Sequence, residues 1–135
     1  MSTVTISYQG DLRTSVTHTK SGDQLVTDAP TDNHGKGEAF SPTDLIAASL
    51  VSCIITVMGI AANARGWKMG EVEGSVKKVM AANPRRVQAL HTSIRIKNNQ
   101  LSAAQREVLE RIGIDCPVAK SLHPDLLQEI TFFYE

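Results

Sequence analysis

The stretch SPTDLIAASLVSCIITVMGIAANAR, residues 41–65, decides how this chain is read. Ser41 can accept from the free amides of a helix start, Pro42 suits the first helical position, and Asp44 can answer as the capping-box partner. Gly66 stops the helix, and Arg65 sits well for its negative end. A long helix over 41–65 is therefore expected. From Leu45 to Ala64 it carries no charge, and near its middle stands Cys53, one of only two cysteines. The run is long enough to test as a bilayer span. Ser49, Ser52, Thr56, Gly59 and Asn63 dilute it, no second span exists, and no Lys/Arg cluster marks one flank. No membrane is expected. A helix apolar on nearly all sides must instead be buried all round. A chain this small has little to wrap it with, so a second copy should supply the cover: a homodimer.

Working outward, 135 residues with 41% hydrophobic and 21% charged content fit one globular domain over 1–135. Lysine plus arginine equals aspartate plus glutamate at 14 each, and no basic run occurs, so nucleic acid is not an expected partner. The N-terminal MSTVTISYQGD lacks the basic start and apolar block of a signal peptide. A cytoplasmic location is expected, where a disulfide between the two cysteines would be transient or catalytic.

Residues 2–8 alternate, with Val4, Ile6 and Tyr8 on one side, and read as a strand ending in the turn Gln9-Gly10-Asp11. Residues 12–18 give a second strand, with Arg13 just past the turn, and 24–27 a short third. A loop over 31–40 holds His34 and Glu38 and leads into the long helix. Residues 70–80 and 87–97 read as a hairpin. Its inner face carries Val72, Val76, Met80, Leu90, Thr92, Ile94 and Ile96, and its outer face Glu71, Glu73, Lys77, His91, Arg95 and Lys97. Ser102 with Gln105 starts a helix that Gly113 ends. Asp115-Cys116-Pro117 starts another, running to about Leu122, and a strand over 130–134 closes the chain. This order of elements is α+β, not doubly wound.

Only a thiolate attacks, and burial in an apolar helix raises a thiol's pKa unless a cation lies close. On a helical wheel Cys53 shares its face with Ile46, Ser49, Leu50, Thr56, Val57 and Ile60, none of them charged. Its activating cation must come from another segment or another chain. Cys53 is thus either a small buried filler or a reactive group. Cys116, at a helix N-terminus, is the kind of thiol whose pKa falls, and the pair could act as attacking and resolving sulfurs; a structural role for Cys116 stays equally open. No spacing of Cys with His18, His34, His91 and His123 suggests a metal site, and no glycine-rich phosphate loop implies a cofactor.

Ser-Pro-Thr-Asp-Leu-Ile-Ala-Ala-Ser-Leu-Val-Ser-Cys at 41–53, followed by Asp-Cys-Pro-Val-Ala at 115–119 and a terminal strand, resembles the OsmC/Ohr family of thiol-dependent peroxidases. The resemblance implies an intertwined homodimer of α+β fold, with antiparallel sheets around a long buried central helix. It implies a peroxidatic Cys53 that reduces organic hydroperoxides, a resolving Cys116, and an external dithiol reductant. Arg13 is similar to the family's thiolate-holding arginine, although strand alternation places it on the polar side, where the dimer partner would complete the site. In Ohr-type members a glutamate that holds this arginine occupies the position of Thr43. Here Asp44 stands next to it, and Glu38 in the preceding loop is the candidate substitute. The alternatives are a redox-sensing protein that cycles the same disulfide, and a binding module for a small hydrophobic ligand.

Overall fold

The computed structural model describes residues 1–135. Its contacts divide the chain into two compact units, Met1–Ile46 and Ala47–Glu135, with the boundary inside the long helix. In the first unit β1 (Val4–Gly10), β2 (Arg13–His18) and β3 (Gln24–Asp28) form an antiparallel meander. The β1–β2 turn is tighter than the alternation suggests. Leu12, read as the first strand residue, has φ of 65° beside Asp11 at 53°, so both are turn residues. Two left-handed residues match the twist of a two-residue hairpin. The loop over 31–40 contains a single 3-10 turn, Thr31–Asn33, and returns so that Phe40 bridges Thr27 in parallel.

The long helix α1 is Pro42–Arg65. Its start is the expected capping box: the Asp44 amide donates to Ser41 Oγ at 3.1 Å, and the Ser41 amide donates to Asp44 Oδ2 at 2.9 Å. Its end is a Schellman arrangement. The Trp67 amide reaches Ala62 O at 2.9 Å and the Gly66 amide reaches Asn63 O at 3.2 Å, with Gly66 at φ of 69°. Arg65 Nη1 donates to Ala61 O at 3.0 Å, and its guanidinium lies 5.6 Å from the centre of the Trp67 ring.

In the second unit β4 (Glu71–Ala81) and β5 (Arg86–Lys97) form the expected hairpin, with Asn83–Pro84 cis in its turn. The register sets Glu71 opposite Lys97 and Glu73 opposite Arg95 on the outer face. Leu90, Ile94 and Ile96 are fully buried on the inner one. Helix α2 (Ala103–Ile114) starts on a complete Ser102/Gln105 capping box and passes through Gly113 instead of ending there. Glycine suits that position because a β-carbon would fall 2.8 Å from Met58 Cγ and 3.0 Å from Ile54 Cγ2. Helix α3 (Pro117–Ser121) follows, then β6 (Leu127–Tyr134).

The expectation of antiparallel sheets is corrected here. Strand β6 pairs with β5 in parallel, so the second sheet, ordered β4-β5-β6, is mixed. The reason is the connection: α2 and α3 carry the chain back to the starting end of β5, as a parallel neighbour requires.

Within the single chain α1 is buried along one side, which leaves the other side for the expected second copy. Ala47, Leu50, Val51, Ile54, Met58, Ala61 and Ala62 form a buried stripe. Ser49, Ser52, Thr56, Ile60 and Asn63 form an exposed one. Hydroxyl and amide side chains carry no charge yet accept water, so a charge-free helix is not an apolar one. By length and composition α1 is the one helix that could cross a bilayer. Its buried stripe is occupied by the protein's own sheet and helices.

Candidate active site

Cys53 lies on the flank of the buried stripe of α1 and is half-buried. Beside it, Val51 and Ile55 pack on β4 at Gly74, where a β-carbon would meet Val51 Cγ1 at 2.6 Å. Cys116 caps the N-terminus of α3 and is 1% exposed. Its sulfur accepts from the Ala119 amide at 3.4 Å, and its own amide donates to Gly113 O at 3.2 Å. Gln128 on β6 ties the same turn down by donating from Nε2 to Ala119 O at 3.1 Å. Both cysteines are free thiols, and the fold brings them close enough for Cys53 to influence the titration of Cys116 although they lie far apart in sequence.

The expected depression of the Cys116 pKa does not occur. Burial pushes the thiol up, and the neighbouring Cys53 pushes it the same way. The Ala119 amide, which pulls it down, is outweighed. A helix of five residues offers few aligned amides, and desolvation of a nearly inaccessible sulfur is the larger effect. Cys116 is therefore a protonated thiol at neutral pH. The half-buried Cys53 is the more accessible of the two sulfurs.

Arg13 and Glu38 belong to the first unit. Arg13 is the first residue after the β1–β2 turn, and its Nε is buried without a hydrogen-bond partner. Glu38 is exposed, and its side chain makes no ion pair. With Asp44, Leu25, Val26, Gly37, Ala39 and Phe40 it lines an open pocket of about 520 Å³. Asp44 spends its carboxylate on the helix cap, and the Thr43 hydroxyl lies 3.2 Å from Ser41 Oγ.

The residue that sequence reasoning missed is Asp28, at the end of β3. It is 1% exposed, accepts from the Glu38 amide at 2.9 Å through Oδ2, and leaves Oδ1 without a partner. An aspartate before Ala29-Pro30 reads as an ordinary turn residue, and only the return of the 31–40 loop over it removes it from water.

The profile of the family described as OsmC-like protein matches residues 35–129. The chain belongs to the OsmC-like family. Among solved structures, this OsmC-like protein is 47% identical to one from Psychrobacter arcticus 273-4, provisionally named an osmotic stress induced and detoxification response protein. That match covers 98% of this chain and 96% of that one, with a TM-score of 0.92. It also resembles an organic hydroperoxide resistance protein OsmC from Legionella pneumophila (18% identity, 98% of each chain, TM-score 0.74). An OsmC-like protein from Mycoplasma pneumoniae has the same fold (15% identity, 97% and 94% coverage, TM-score 0.80). No curated protein matches the chain. The α+β architecture of two sheets and few helices is thus that of OsmC and Ohr proteins, and both thiols fall inside the matched segment of this OsmC-like chain.

Proposed function

We propose that this OsmC-like protein is a cytoplasmic, homodimeric, thiol-dependent peroxidase that reduces organic hydroperoxides. The observation that carries the reading is the pair of free thiols held as neighbours, one half-buried and one fully buried. The difference in exposure supports the division of roles. The Cys53 thiolate attacks the terminal peroxide oxygen, the O–O bond breaks, and the alkoxide leaves as an alcohol after taking a proton. Cys53 is then a sulfenic acid. Cys116 attacks that sulfur, its own proton and the sulfenic hydroxyl leave as water, and a Cys53–Cys116 disulfide forms. A dithiol reopens the disulfide by exchange and is itself oxidised. The protonated state of Cys116 suits a resolving thiol, since it does not compete for peroxide until Cys53 is oxidised. Arg13 is the cation assigned to the Cys53 thiolate, on the strength of the family resemblance.

Cumene hydroperoxide and dithiothreitol added to the purified protein should be consumed in steady turnover. Cys53→Ser should lower the rate at least a hundredfold, and Cys116→Ser should allow one turnover while abolishing the disulfide seen by mass spectrometry. Undiminished turnover in Cys53→Ser would sink the assignment. A disulfide that forms without steady peroxide consumption would make the protein a redox sensor instead.

A further inference from the structure

Two buried polar atoms in the first unit lack partners, and the residues that carry them are directly opposed on one strand pair. Arg13 on β2 and Asp28 on β3 are directly paired in the antiparallel register. The same ladder shows its side chains meeting across the strands, since Thr14 bonds Thr27 and Gln24 Nε2 donates to Thr17 Oγ1 at 3.3 Å. Directly opposed residues share a face with β-carbons about 4.5–5.5 Å apart, well within the reach of an arginine. Arg13 Nε is buried and unbonded, and so is Asp28 Oδ1. Leaving a guanidinium nitrogen and a carboxylate oxygen buried and unpaired is unfavourable, and pairing the two groups would satisfy both. Asp28 is also well anchored, because its other oxygen holds the Glu38 amide at 2.9 Å and its own amide donates to Phe40 O at 2.9 Å. The other acids nearby do not fit the task, for Glu38 is exposed and Asp44 is engaged in the helix cap.

We propose that Asp28 is a positioning residue that holds the Arg13 guanidinium, filling the place left by a threonine at position 43. The inference rests on the reading of Arg13 as the cation for the Cys53 thiolate, and the test separates the two. In a Cys116→Ser background, where Cys53 is the sole thiol, the pH dependence of its alkylation by iodoacetamide reports its pKa. Arg13→Gln should raise the midpoint and slow alkylation at pH 7 about tenfold, the scale of losing one nearby cation. Asp28→Asn keeps an oxygen for the Glu38 amide but removes the charge. If Asp28 acts through Arg13, this variant also raises the midpoint, and the double variant is no slower than Arg13→Gln alone. If Asp28 were merely a nearby negative charge, its removal would lower the midpoint. A downward shift, no shift, or an additive upward shift in the double variant overturns the role of Asp28. An unmoved midpoint in Arg13→Gln overturns the reading of Arg13 and the proposal with it. Should Asp28→Asn fail to fold, nitrogen NMR of arginine-labelled wild-type protein decides. The Arg13 Nε–H should exchange slowly and correlate with the Asp28 carboxyl carbon; free exchange overturns the pairing.

Discussion

A sulfur as inaccessible as Cys116 keeps its proton because the thiolate would lose its hydration, and the single Ala119 amide does not compensate. That preference has a thermodynamic consequence. The folded-state pKa lies above the ordinary 9.0, so the fold favours the neutral form. Its contribution to stability is fully present below about pH 9 and is lost as pH rises through the folded-state value. Tyr134, which donates to Glu110 Oε2 at 2.8 Å and is desolvated, has a raised pKa as well and adds a slope of the same sign at higher pH. In thermal melts of the reduced protein from pH 7 to 10.5, the wild type should lose stability more steeply above pH 9 than Cys116→Ser. Parallel curves would contradict the burial argument. The same residue shows the limit of motif reading: Asp115-Cys116-Pro117 announces a helix N-terminus, and one forms, but the cap does not set the charge state.

At the scale of elements, α1 is held by close approaches that leave no room for a methyl group. Opposite Val51 and Ile55, β4 carries Gly74, whose added β-carbon would lie 2.6 Å from Val51 Cγ1 and 3.1 Å from Ile55 Cδ1. Valine is stiff at χ1 and cannot swing aside cheaply. Gly74→Ala should therefore cost about 1–3 kcal/mol by overpacking, read as a lower urea midpoint at unchanged slope. In an open strand position the same change would be neutral or stabilising, so the sign of the effect tests the contact. The strand itself was legible from its alternation. The absence of a side chain at its middle reads only as a weak point until the helix lying against it is seen.

For the whole molecule, the exposed surfaces argue for a second copy. Ile60 on α1 is 63% exposed, and on β1 Ile6 and Tyr8 are 60% and 66% exposed. Sedimentation velocity at micromolar concentration should give a dimer. Ile60→Glu, which places its charge in water in the single chain, should shift the population towards monomer without lowering the helical circular dichroism signal. A wild-type monomer would leave Ile60, Ile6 and Tyr8 exposed in solution and would remove the homodimer from the proposed function.

The amino-acid sequence by itself determined whatever depends on neighbours a few residues away. Val4, Ile6 and Tyr8 alternate into a strand, the Ser41/Asp44 and Ser102/Gln105 pairs start helices, and Gly66 stops one. Each is set by hydrogen bonds or periodicities spanning at most a turn or two. The cysteine motifs at 53 and 116 likewise marked the candidate site and the family. Tertiary structure alone decided that β6 runs parallel to β5, that Ser49, Ser52 and Thr56 face outward from a charge-free helix, that Cys116 is protonated, and that Asp28 lies buried opposite Arg13. These are matters of desolvation and strand order. They depend on which distant segment excludes water from a group, and no local pattern of residues encodes that.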